Sequence, residues 1–192
     1  MSDFEIRDAS EGDIPQIAAI YADAVRHGTA TYELEPPDEA EMASRFRALA
    51  AEEYPYLVAE RADAVLGYAY AGPFRARPAY RFIVEDSIYV SPDSKGNGIG
   101  RALMLALIDA CRAKGFRQLV AVIGDGTPQS PSVRLHERMG FDHAGVLVGS
   151  GFKHGRWLDT VFMQLAMNGG NGTAPDPDSL PERRFRASGR SG

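Results

Sequence analysis

Two features within residues 85–111 suit acid–base and anion chemistry. Glu85 lies among Phe82, Ile83, Val84 and Ile88, in a run that reads as a strand over residues 80–90. A carboxylate among such neighbours is desolvated. Desolvation lifts its pKa toward neutrality, where it can take a proton from an ammonium group. The competing reading is a solvent-facing charge or an ion pair with Arg81. Asp86 faces the other way by strand alternation. Just downstream, Lys95-Gly96-Asn97-Gly98-Ile99-Gly100 opens directly into a helical pattern. Closely spaced glycines let the backbone approach a ligand and aim successive N–H groups at it. The helix start adds its own unpaired N–H groups and the positive end of its dipole. Such a place takes an anion, most often a phosphate or pyrophosphate. The bland alternative is a tight strand-to-helix turn that binds nothing.

The letters exclude two familiar phosphate loops. No Lys-Ser or Lys-Thr follows the glycines, so this is not a P-loop. The spacing Gly96, Gly98, Gly100 is not the G-x-G-x-x-G of a dinucleotide fold. Arg75 and Arg77 flank Ala76 in a connector read as extended, so their side chains point the same way. They are either solvated charge or a guanidinium pair for a carboxylate or phosphinate. Four histidines and one cysteine show no metal-ligand spacing, and no metal is expected.

The elements that would position these groups follow from periodicity. Residues 4–7 alternate as a first strand. Ser10 and Asp13 form a capping-box pattern ahead of a helix whose apolar face is Ile14, Ile17, Ala18, Tyr21, Ala22 and Val25, ending near Gly28. After a loop containing Thr31, Tyr32 and Glu33, Asp38 caps a second helix with Met42, Phe46 and Leu49 on one face. Residues 56–60 and 64–70 read as a hairpin about Ala62-Asp63. The strand over 80–90 is followed by a helix over 99–114, a buried strand over 116–123, and a helix from about 130 to 139. Two long strands come last, over 141–149 and 156–167, joined by residues 150–155. The order β-α-α-β-β-β-α-β-α-β-β predicts an α+β fold, a mixed central sheet flanked by helices on both faces.

On these letters the chain resembles the GCN5-related N-acetyltransferases (GNAT) over residues 3–167. The loop at Lys95 to Gly100 is similar to their pyrophosphate loop [Q/R]-x-x-G-x-[G/A], with Lys95 in place of Gln or Arg. Four strings resemble the phosphinothricin and methionine sulfoximine acetyltransferase branch: Val84-Glu85-Asp86-Ser87-Ile88-Tyr89-Val90, Ala121-Val122-Ile123-Gly124, Ser132-Val133-Arg134-Leu135-His136-Glu137 and Gly151-Phe152-Lys153-His154-Gly155-Arg156-Trp157. The resemblance implies transfer of an acetyl group from acetyl-CoA to the amine of a small amino acid, and resistance to such antibiotics or herbicides. It implies Glu85 as base, with His136 relaying a proton or contacting the amine. It places Ile88, Tyr89 and Val90 along the pantetheine through their backbone groups, and Gly96 to Arg101 on the pyrophosphate. Gln129 and Ser132 also face CoA, although Gln129 stands where many members have Asn. Arg75, Ala76, Arg77, Asp86 and Ser87 match substrate-contacting segments, with Thr31, Tyr32, Lys153 and Trp157 at the pocket wall. Where many members carry a Tyr acid, the matching places are Met104 and Phe141, so no protein acid is assigned. A homodimer is implied.

The whole chain agrees. Its 192 residues suit one domain, 44% hydrophobic and 24% charged, and its net charge of −5 argues against a general nucleic-acid binder. No apolar run nears the ~18 residues of a membrane helix, and no secretory signal opens the chain. One unpaired cysteine suits a reducing, cytoplasmic setting. Residues 168–192, rich in Gly, Pro, Ser and Arg, read as a disordered tail beyond an acetyltransferase domain over 1–167. The alternatives are a related enzyme acting on another amine (an antibiotic, another amino acid, a protein N-terminus) and an acetyl-CoA-binding regulator, which needs no base at Glu85.

Overall fold

The computed structural model describes residues 3–189. Seven strands form one sheet: β1 (Glu5–Asp8), β2 (Tyr56–Arg61), β3 (Ala64–Pro73), β4 (Ile83–Val90), β5 (Gln118–Gly124), β6 (Asp142–Lys153) and β7 (Arg156–Ala166). Their order across the sheet is β1-β2-β3-β4-β5-β7-β6, so β4 is the middle strand. Only β4 and β5 run parallel; the other pairs are antiparallel. The helices are α1 (Ile14–His27), α2 (Glu39–Ala51), α3 (Ile99–Ala113), α4 (Pro131–Arg138) and α5 (Leu180–Ala187).

Local chemistry starts and stops these elements. Asp13 completes the capping box with Ser10 ahead of α1 and also takes both Arg7 Nη atoms at 2.8 Å. That tie fixes β1 to the helix start. Asp38 caps α2 by accepting the Glu41 N–H at 2.8 Å. Ala62 and Asp63 both turn left-handed in the β2–β3 hairpin. Helix α3 buries Ile99, Leu103, Met104, Leu107, Ile108 and Cys111 against one face of the sheet. Full burial of a side chain such as Leu103 or Leu107 contributes about 1.5–3 kcal/mol. On the other face α1 and α2 enclose Ile17, Val25, Phe46, Val58 and a stack of Tyr56, Tyr68 and Tyr70.

The structure departs from the sequence reading in the extent of several elements. Strand β4 starts at Ile83, because Pro78–Tyr80 forms a 3-10 turn first. Residues 150–155 are not a connector: β6 continues to Lys153, and only His154 and Gly155, both at positive φ, make the turn. A register shift between Leu147 and Gly151 lets the strand run on. Finally, the expected disorder after residue 167 is not found through Gly189. Leu180 enters the core and α5 follows it. Composition misled here because polar groups do the anchoring: Arg117 donates to the carbonyls of Gly170, Thr173 and Ala174. Residues 190–192 lie outside the described residues.

Candidate active site

Strands β4 and β5 pair at only three positions, Ile83 with Gln118, Val84 with Leu119 and Glu85 with Val120. Beyond Glu85 they diverge, and β4 keeps only its β3 partner as far as Val90. The edge of β4 facing β5 is therefore unpaired over Ile88, Tyr89 and Val90. It can take a ligand's amides as an added strand would. A cleft of about 1070 Å³ opens in this fork, lined by Glu85 to Val90, Ala121 to Asp125, the glycine loop and the start of α4.

At one end lie Lys95, Gly96, Gly98, Ile99 and Gly100. Gly96 and Gly98 hold φ of +83° and +79°, a conformation that costs other residues roughly 1–2 kcal/mol. Ala102 donates to the Gly98 carbonyl, so the N–H groups of Ile99, Gly100 and Arg101 stand ahead of the helical ladder. This arrangement suits a pyrophosphate. Asn97 and Arg101 do not line the cleft through their side chains. Asn97 leans on the Ser94 carbonyl at 3.4 Å, and Arg101 is exposed. Only backbone groups remain as their means of contact. Gly98→Ala is expected to raise the Kd for acetyl-CoA about 5- to 30-fold, as ~1–2 kcal/mol of strain implies. Gly100 is not left-handed, and an added Cβ would meet Leu135 and Val90 only at 3.7 Å. Gly100→Ala should therefore bind acetyl-CoA within about twofold of the parent, which calorimetry can check.

Glu85 sits where the fork opens. Burial pushes its carboxyl up to about 7, the negative charge of Asp86 adds to this, and Arg75 opposes it. Arg81, its possible ion-pair partner, is committed instead to Glu182 at 2.8 Å. Asp86 does point to the opposite face, and there it meets His136: Oδ2 lies 3.0 Å from Nε2. The other ring nitrogen, Nδ1, is 2.7 Å from the Ser132 carbonyl. Both partners are acceptors, so one proton more than a neutral imidazole carries is held within the pair. Burial pulls the His136 pKa down, but the Asp86 hydrogen bond and charge outweigh it and the net shift is upward. His136 is 1% exposed and has no free nitrogen. It nevertheless borders the cleft, with Nε2 engaged by Asp86 and Nδ1 by the Ser132 carbonyl. Met104 and Phe141, the places compared with a Tyr acid, are core residues, and Phe141 packs edge-on to His136.

Gln129, Ser132, Ser87, Thr31 and Tyr32 all line the cleft. Arg75, Ala76 and Arg77 do not. They lie in an exposed bend rather than an extended segment, although Arg75 is close enough for its charge to act on Glu85. Lys153 is also off the lining. It is buried and donates to the Thr31 carbonyl at 2.8 Å, supporting the loop that does line the cleft. Trp157 is 68% exposed and forms no pocket wall within this chain.

Sequence reasoning missed how residues 28–32 bridge the open fork. Thr29 donates to Asp125 at 3.2 Å, and Tyr32 Oη is 2.9 Å from Thr160 Oγ1. These partners are far apart in the chain, and no local spacing signals them. Gly124 and Gly151 are the nearest trace, since a Cβ on either would strike the Tyr32 ring at 2.6–2.7 Å.

Known proteins share this architecture. Residues 17–141 match the acetyltransferase (GNAT) family. The chain is 49% identical over 171 residues to a phosphinothricin N-acetyltransferase of Alcaligenes faecalis, covering 89% of this chain and 86% of that protein. It is 44% identical over 164 residues to an L-methionine sulfoximine/L-methionine sulfone acetyltransferase of Pseudomonas aeruginosa, covering 85% and 94%. A phosphinothricin acetyltransferase from Sinorhizobium meliloti, solved in complex with acetyl-CoA, superposes with a TM-score of 0.90 at 50% identity, covering 94% of this chain and 97% of that one. With a fork, a glycine loop and a desolvated carboxylate in place, and with these relatives, the chain belongs to the GNAT family of acetyl-CoA-dependent N-acetyltransferases.

Proposed function

We propose that this protein acetylates the α-amine of a small amino acid bearing a tetrahedral polar or anionic side chain, of the phosphinothricin, methionine sulfoximine or methionine sulfone type. The observation that carries the chemistry is Glu85 at the mouth of the β4–β5 fork, held near pKa 7 by burial. There it takes a proton from the α-ammonium, directly or through water. The freed amine attacks the thioester carbonyl, and the tetrahedral intermediate breaks its C–S bond to expel CoA as thiolate while the nitrogen sheds its extra proton to that thiolate or to water. Backbone N–H groups on the open edge of β4 stabilise the oxyanion. Ser87, Thr31 and Tyr32 face the acceptor, and the charge of Arg75, which reaches Glu85 from outside the cleft lining, favours an anionic side chain. The relatives' substrates support this choice of amine.

The test is release of free thiol from acetyl-CoA in the presence of phosphinothricin, methionine sulfoximine, methionine sulfone and a panel of other amines. Fast release with the first three supports the reading. Release only with unrelated amines keeps the reaction and overturns the acceptor. Acetyl-CoA binding without release for any amine makes the protein an acyl-CoA-binding regulator.

The protein also works as a homodimer in this reading. The edge strand β6 and its neighbour expose Val146, Leu147, Val148, Phe152 and Trp157, with Val148 84% exposed, and a second copy would cover this patch. Val148→Lys with Trp157→Glu should convert a dimer of about twice 20.8 kDa to a monomer in light scattering. An unchanged mass would remove this surface from the interface. Among the described residues no helix is long and apolar enough to cross a membrane. The buried free thiol of Cys111 fits a cytoplasmic setting.

A further inference from the structure

The C-terminal segment 168–187 crosses the sheet at the end where β4 and β5 begin, and two guanidinium groups hold it there. Arg117 precedes β5. Its backbone N–H donates to the Phe82 carbonyl at 2.8 Å, and its own carbonyl accepts from Met167 at 2.9 Å. Its side chain donates to Gly170 O at 2.8 Å, to Ala174 O at 3.2 Å and to both Thr173 O and Oγ1 at 2.7 Å. Arg81 precedes β4. It donates through Nε and Nη2 to Glu182 Oε1 at 3.2 and 2.8 Å, and through Nη1 to Pro78 O at 3.3 Å. Its guanidinium also lies 4.5 Å from the centroid of the Phe82 ring and 4.3 Å from that of Phe185.

Between these two anchors the chain seats deeply. Leu180 is buried and donates to the Lys114 carbonyl at 2.9 Å. Ser179 approaches Gly115 so closely that a Cβ there would meet Ser179 Cβ at 2.4 Å. None of these groups lines the cleft. They grip the residues immediately ahead of the only three paired positions that join β4 to β5. Glu85 is the last of those positions, four residues beyond Arg81. A short parallel ladder that must support a wide fork gains most from being held at its closed end.

We propose that the C-terminal segment is a clamp on the closed end of the β4–β5 fork, and that Arg81, held by Glu182 and Phe185, is a positioning residue for Glu85 and for the adjoining bend at residues 74–80. The proposal rests on Glu85 being the base. The segment acts through the strand and touches neither substrate.

The test is Glu182→Gln with Phe185→Leu in the full chain, assayed with methionine sulfone beside Glu85→Gln. The clamp variant is expected to lose about tenfold in kcat/KM for the amine, since small misplacements of a reacting group are costly. Its Kd for acetyl-CoA should stay within about twofold. The pH inflection assigned to Glu85 should move below that of the parent as water reaches the carboxylate. Phe185→Trp, which keeps an aromatic face on Arg81, should restore the rate. A fall in Tm with unchanged kcat/KM and unchanged inflection would make the segment a mere stabiliser and overturn the proposal. If the double variant does not fold, Phe185→Leu alone is read in the same way. Full activity in Glu85→Gln sinks the base reading instead, whereas a slow Glu85→Gln beside a normal clamp variant sinks the clamp alone.

Discussion

Glu85→Gln is expected to lower kcat about 100-fold or more, the range for loss of a general base, while the Kd for acetyl-CoA stays as in the parent. Glutamine keeps the shape of the side chain and removes only its ability to accept a proton. The parent rate should climb with pH through about 7, where the Glu85 carboxyl ionises, because only the ionised form is a base. The variant should lack that inflection. Stability carries a second signature. A carboxyl whose pKa is about 7 in the fold and near the ordinary 4.5 in the unfolded chain binds its proton more tightly when folded. Its contribution is therefore fully present below about pH 4.5 and is lost as pH rises to about 7. Glu85→Gln should accordingly melt higher than the parent at pH 8, with the difference shrinking toward pH 5. A variant both slower and more stable marks a carboxylate held desolvated for function. Unchanged turnover would falsify the base.

How much of this was legible beforehand depended on sequence distance. The glycine loop, the helix that opens from it and the later part of the strand before it are local patterns, and they lie where the spacing put them. Glu85 was also legible, because its apolar neighbours in the strand foretell desolvation. What the letters hid were pairings across long separations. Asp86 and His136 are 50 positions apart, and nothing in either neighbourhood requires the other. Lys153 read as a pocket-wall residue in the connector over 150–155, yet β6 runs on through it and turns it inward to the Thr31 carbonyl, 122 positions away. Arg75 and Arg77 looked paired by alternation, but a bend and the 3-10 turn at Pro78 break the strand period on which that inference stood. The C-terminal segment failed for a related reason. Poverty in aliphatic residues predicts disorder only when apolar burial is the sole source of order. Here carbonyl-to-guanidinium bonds and one buried Leu180 supply it.

His136→Ala should be the most destabilising change near the site, costing about 3–5 kcal/mol, or roughly 6–20 °C in Tm for a chain of this size. The reason lies in the Asp86 carboxylate. It is 7% exposed; among the described residues its Oδ1 has no hydrogen-bond partner and His136 is the only one its Oδ2 has. Removing the imidazole leaves a buried carboxylate with nothing to hold its charge. Asp86→Asn differs in kind. A neutral His136 can keep its Nδ1–H on the Ser132 carbonyl while Nε2 accepts from the asparagine amide, so every contact in the pair survives without a buried charge. That variant should lose only about 1 kcal/mol. Because Asp86 also raises the Glu85 pKa, Asp86→Asn should move the rate inflection to lower pH. The two substitutions thus separate the roles of the pair: a strut between β4 and α4 just beyond the last rung of the ladder, and a charge that tunes the base. Equal losses of Tm in both variants would argue against this account of the pair, because a neutral histidine–asparagine pair keeps both contacts while His136→Ala strands a buried carboxylate.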